Sequence, residues 1–100
     1  MSNTKWRKFF GFLDGYRPRP RRIIWKFVDN ERLFETPLPR RSDLEDTHLV
    51  DGKFQPFVYK EVHWVKVFTD EPAAMRESLG LYGNFDCELA SDGLTVFGYR

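Results

Sequence analysis

Two imidazoles, His48 and His63, and one thiol, Cys87, are the residues of this chain that could do nucleophilic or metal chemistry. They lie far apart and show no ligand spacing of the C-x-x-C or H-x-x-x-H kind, so no metal site is expected. There is no G-x-G-x-x-G, no P-loop and no G-x-S-x-G, so no cofactor is expected either. The carboxylates are many, but none forms a spaced pair with a reason to shift its pKa. His63 falls mid-strand between Glu61 and Val65, where a half-buried histidine bonded to a neighbour is the plain reading. A catalytic reading would need Cys87 on an adjacent strand, within reach of His63. Cys87 alternates with Phe85 and Leu89 and reads more simply as a small core residue. The expectation is therefore a protein that binds rather than one that catalyses.

Charge is the stronger signal. The formal total is +1, but residues 1–41 hold eleven Lys or Arg against four Asp or Glu, and residues 42–100 hold five against eleven. Such asymmetry concerns partners more than fold. The basic half contains one pattern twice: Pro18-Arg19-Pro20-Arg21-Arg22 and Pro37-Leu38-Pro39-Arg40-Arg41. If the segment between them is a hairpin, its open end brings Arg21, Arg22, Arg40 and Arg41 together. Unit charges ~8 Å apart in water repel by ~0.5 kcal/mol, so four would cost roughly 3 kcal/mol before screening. Such a cluster is either neutralised or used. Used, it suits phosphate, because guanidinium is a planar fork of donors and Tyr16 or Trp25 could stack on a base. Arg19, Arg21, Arg22, Arg40 and Arg41, within the Arg17–Arg22 and Arg40–Arg41 segments, are the candidate residues for nucleic acid or phosphate. Neutralised, it would turn to the acidic stretch that follows, where Asp43, Glu45, Asp46 and Asp51 stand with no Lys or Arg among them. Those four carboxylates are also the candidate contact for a basic protein partner.

The elements that must position these groups follow from periodicity. Trp6, Phe9, Phe10 and Leu13 mark one apolar face of a helix over residues 4–14, with Lys5, Lys8 and Phe12 off that face, Asn3 or Thr4 as cap and Gly15 as a left-handed stop. The segment from Tyr16 to Arg22 is extended, because each Pro restricts the Arg before it. Ile23, Trp25 and Phe27 alternate as a strand, Asp29-Asn30-Glu31 turns, and residues 33–36 return, so residues 22–36 form a hairpin. Ser42 and Glu45 match a capping box, and Asp51-Gly52 marks a turn. Residues 57–69 read as one long strand, apolar on both faces and hence central. On it Val62, Trp64 and Phe68 point one way, and Tyr59, His63, Val65 and Val67 the other. Asp70 caps a second helix that runs to Leu79 and stops at Gly80. Residues 85–90 and 94–99 close the chain as a hairpin around Ser91-Asp92-Gly93. The order α-β-β-β-α-β-β with short connections predicts an α+β fold: one domain over residues 1–100, a mainly antiparallel sheet of about five strands, and two helices packed on it.

Two segments add a resemblance. Thr4-Lys5-Trp6-Arg7 at the start of the first helix is similar to the opening of a family of short, uncharacterised bacterial proteins. The stretch Asp51-Gly52-Lys53-Phe54 with Tyr59-Lys60-Glu61-Val62-His63-Trp64-Val65, and the closing Val96-Phe97-Gly98-Tyr99, resemble the same family. The likeness touches about a third of the chain. It implies a bacterial or phage-borne cytosolic domain and transfers no catalytic residue. The Tyr16–Arg22 segment is not part of it. By size and habitat such proteins suggest immunity or accessory factors, which is an analogy. A single cysteine, with no internal disulfide to form, fits a reducing cytoplasm. No run approaches ~18 apolar residues, so no membrane span is expected. The leading expectation is a non-enzymatic domain acting through a protein–protein contact. Nucleic-acid or phosphate binding is the alternative, and opposite patches make a homodimer a further one.

Overall fold

Rings at three- and four-residue spacing need a wall to pack on, and the alternating strands supply it. The computed structural model describes residues 1–45 and 57–99, together with the backbone of 48–49. Helix α1 is Asn3–Gly15, and α2 is Pro72–Leu79. Strands β1 (Arg22–Phe27), β2 (Asn30–Pro37), β5 (Val62–Phe68), β6 (Cys87–Ala90) and β7 (Gly93–Phe97) form a sheet in the order β2-β1-β5-β7-β6. Every pairing in it is antiparallel. The short strands β3 (His48–Leu49) and β4 (Phe57–Val58) pair with each other separately. The fold is α+β.

Both helices cover the same face of the sheet. Trp6, Phe9, Phe10, Phe12 and Leu13 of α1 and Met75 and Leu79 of α2 share one cluster with Ile23, Trp25, Val65, Val67, Leu94 and Val96. Phe10 stacks on Trp25 at 5.1 Å between centroids, which locks α1 to β1. Such ring pairs add ~0.5–1.5 kcal/mol beyond the area they bury.

Several local expectations are corrected. Ser2, not Asn3 or Thr4, caps α1, its hydroxyl accepting from the Lys5 N–H at 3.1 Å. Gly15 is the last helical residue but does not take a left-handed backbone; the chain simply becomes extended at Tyr16, ahead of Pro18. Phe12 is buried after all, because Tyr16 and Tyr82 form a second wall for its ring at 5.3 Å each. The first hairpin turns at Val28-Asp29 and β2 starts at Asn30, so this strand is longer than the sequence suggests. The capping frame after β2 sits two residues earlier than Ser42. The Asp43 carboxylate accepts from the Arg40 N–H at 2.9 Å and opens a 3-10 turn over Arg41–Asp43. Glu71 rather than Asp70 precedes α2 as its cap.

Residues 57–69 are not one strand. A 3-10 turn over Tyr59–Glu61 divides them, and β5 begins only at Val62. The Val28 N–H donates to the Glu61 carbonyl at 2.8 Å, so the neighbouring hairpin end holds that break. A bulge follows. Lys26 faces Trp64 and Phe27 faces Val62, leaving His63 as the extra residue. The bulge turns Val62 into the core, away from Trp64 and Phe68, with which alternation had grouped it. Tyr59 is also in the core. Its hydroxyl has no hydrogen-bond partner among the described residues, and burial pushes the phenol up to about 12.

Candidate binding face and arginine segment

Strand β5 is central, as its composition suggests, but among the described residues only one of its faces is covered. Register fixes what lies on the other. Ile24 stands beside Lys66, Lys26 beside Trp64, Trp64 beside Phe97, and Lys66 beside Thr95. Phe68 and Arg22 continue this face, with the Arg22 guanidinium 5.6 Å and the Lys66 ammonium 5.2 Å from the centre of the Phe68 ring. No described helix packs here, and Trp64, Phe68 and Phe97 are all only half-buried. The outer strands carry carboxylates on the same side: Glu35 on β2, which pairs with Arg22 at 3.2 Å, and Glu88 on β6. Asp92 in the last turn pairs with Lys66 at 2.9 Å. That contact, led by the lysine hydrogen bond, holds the Asp92 carboxyl below the usual carboxylate range.

The arginines do not gather at one point. Asp14, at the end of α1, organises part of them. Arg19 Nη1 donates to Asp14 Oδ1 at 2.7 Å, and the Arg41 backbone N–H donates to Asp14 Oδ2 at 3.3 Å. Arg17 Nη1 donates to the Asp14 carbonyl at 2.9 Å, and Arg41 Nη2 to the Gly11 carbonyl at 3.3 Å. Arg22 leaves this group for the sheet face, and Arg40 spends its N–H on Asp43. Arg21 is exposed and makes no ion pair among the described residues. Among the described residues neutralisation thus comes from Asp14 and Glu35. Within that stretch Asp43 serves the turn and Glu45 is exposed, while Asp46 and Asp51, and the Asp51-Gly52 turn, lie outside the described residues.

The Arg19 hydrogen bond, ahead of the other contacts, holds the Asp14 carboxyl below its ordinary value. A depressed carboxylate stabilises the fold above its unfolded pKa, and that contribution fades as pH falls through the folded pKa. Asp14→Asn is expected to cost about 1 kcal/mol at pH 7, a value reduced from the charge-assisted range because the pair is partly exposed. Thermal melts would show that cost shrinking toward zero as pH falls through the folded-state pKa of Asp14, below which both proteins carry a neutral side chain. A pH-independent difference would refute it.

The Cys87–His63 pair has no cross-strand geometry. Strand β7 lies between β5 and β6, so Cys87 and His63 stand on strands about 10 Å apart rather than on neighbours. His63 is the bulge residue, and its carbonyl accepts from the Gly98 and Tyr99 N–H groups. Among the described residues no three His, Cys, Asp or Glu side chains come together as a metal site, and no helix is long and apolar enough to cross a membrane.

A groove of about 630 Å3 joins the two features. Tyr16, Pro18, Arg19, Arg21 and Arg22 form one wall, and Phe68, Thr69, Asp70 and Asp92 the other. The extended arginine segment therefore runs directly onto the Phe68 corner of the open face. Sequence reasoning identified the arginines but missed the face, because nothing in the alternation says which side of β5 the helices choose. Comparison with protein-family models, curated proteins and solved structures finds no match to this two-layer α+β chain.

Proposed function

We propose that this chain is a non-enzymatic binding domain whose ligand is nucleic acid, held by its phosphates along the segment Arg17–Arg22. One observation carries the reading. Arg17 and Arg21 are exposed, make no ion pair among the described residues, and sit on an extended segment beside the ring of Phe68. Arg19 and Arg22 contribute less, since Asp14 and Glu35 take up part of their charge. A basic track next to an aromatic surface is the arrangement single strands require.

Salt tests it. Each phosphate neutralised on a single strand contributes a slope of about −0.7 to log affinity against log salt. Replacing Arg17 and Arg21 together by Ala is expected to flatten that slope by roughly 1.4. An affinity indifferent to salt, or no gel shift even at low salt, would sink the proposal.

The competing proposal is a contact with a basic protein through Asp43, Glu45, Asp46 and Asp51, in an immunity-like or accessory role in a bacterial cytoplasm. The exposed Glu45 and the likeness to short bacterial proteins support it. Neutralising all four carboxylates without weakening a co-purifying basic partner would remove it.

A further inference from the structure

We infer that the open face of the sheet is a stacking platform for about two or three bases of single-stranded nucleic acid; this deepens the nucleic-acid reading and rests on it. Three half-buried rings lie there on adjacent strands: Trp64 and Phe68 on β5, and Phe97 beside Trp64 on β7. Three cations lie among them, Lys26 beside Trp64 and Arg22 and Lys66 about the Phe68 ring.

The distribution of charge selects the occupant. Glu35 on β2 and Glu88 on β6 stand at the two rims, four strand spacings or about 19 Å apart. Lys26 and Lys66 occupy the strip between them, Lys66 paired at 2.9 Å with Asp92 of the last turn, so Lys26 is the lysine of the strip that makes no ion pair among the described residues. Protein interfaces keep their centres poor in charged groups, lysine above all, and put charge at the rim. Here lysine is central, interleaved with rings, which matches a ligand that alternates flat faces with negative charge. A second copy of this chain fits worse, because stacking two such faces in line sets lysine strip against lysine strip. The platform also needs unpaired bases. Bases in a duplex stack on each other and show a flat sheet only their edges and phosphates. The groove beside Phe68 leads from this strip to Arg21, so a strand leaving the platform meets the phosphate contacts already proposed.

Fluorescence reads the site directly. Trp6 and Trp25 are fully buried, and Trp64 is the one tryptophan a ligand can stack on. A labelled mixed-sequence 12-mer, titrated into the full chain, is expected to quench Trp64 and raise anisotropy together. Trp64→Phe should abolish the quench and leave affinity within about three-fold, because the platform survives. Trp64→Ala and Phe97→Ala should each weaken binding by about 5- to 150-fold, and the matching duplex should bind at least about ten-fold more weakly. The double charge reversal Lys26→Glu/Lys66→Glu, which leaves every ring in place, should also lose the single strand; it carries the test if an alanine variant melts.

Wild-type affinity in Trp64→Ala, with loss only in Arg17→Ala/Arg21→Ala, would overturn the platform and keep the arginine contact. Equal binding of duplex would do the same. No binding of any oligonucleotide would overturn both readings. Quenching by polyglutamate as strong as by the 12-mer, or a dimer that Trp64→Ala dissociates, would assign the face to an acidic protein or to a second copy instead.

Discussion

Trp25→Ala is expected to remove a large share of the stability of this chain, at about 4 kcal/mol, the level for deleting a large buried ring. The reason is the number of partners that one side chain serves. Its ring lies 5.1 Å from Phe10, 5.0 Å from Phe57 and 6.1 Å from Phe27 between centroids. Its indole N–H donates to the Thr36 hydroxyl at 2.8 Å, which also ties β1 to β2. Truncation would open a cavity among rigid rings that cannot collapse into it, and would strand the Thr36 contact. Domains of this size hold only ~5–15 kcal/mol in all. Denaturant unfolding should therefore show a large drop in midpoint, with loss of folded protein at physiological temperature as the extreme. A loss below about 1 kcal/mol would mean that the α1–β1 contact is not the centre of the core. Trp25→Phe, which keeps a ring but loses the N–H, should recover more than half of the loss.

Gly93→Ala is expected to cost about 3 kcal/mol, the upper end for overpacking. Gly93 opens β7 and is buried, with Phe68 and Ala90 as its cross-strand partners. A methyl group there would drive into the backbone carbonyl of Val67, and the Lys66 stem passes 3.3 Å from the same point. The side-chain end can give way, but the Val67 backbone cannot, because it belongs to the central strand. Gly93 does not have a positive φ, so what it provides is room rather than an unusual turn. Thermal melts decide the matter: a change of under ~4 °C, less than about 1 kcal/mol at this chain length, would show that the β5–β7 pairing can spread without cost.

Much of the architecture was legible in the sequence for simple reasons. Period-two runs such as Ile23-Trp25-Phe27 and a Ser-Asp-Gly turn identify hairpins locally, and both hairpins are present. Trp6, Phe9, Phe10 and Leu13 identify the buried face of α1, though not Phe12, whose wall comes from Tyr82 far along the chain. The break at Tyr59–Glu61 was hidden because no Gly or Pro marks it; a hydrogen bond from Val28 sets it. The open face was hidden for the opposite reason. A strand with Val65 and Val67 on one side and Trp64 and Phe68 on the other looks buried twice, and only the placement of both helices on the valine side shows that it is not. The arginine pattern was visible, but its chief counterion was not. Asp14 lies 27 residues from Arg41, and no spacing rule links them.

The single extra residue at His63 has a consequence for how such a chain can change over time. Upstream of it, Val62 points into the core, and downstream Trp64 points out of it. Deleting His63 would leave Val62 and Trp64 as neighbours in plain alternation, opposite Phe27 and Lys26, and every other side chain of the strand would keep its face. Point changes on the exposed letters of β5 are tolerable, and so is a loss of length at His63; a residue lost elsewhere in the strand exchanges inside for outside along whichever half moves. Among homologues this segment should vary in spelling, and in count only at the bulge, whereas the two-residue connections at Val28-Asp29 and Ser91-Asp92 are where insertions can accumulate.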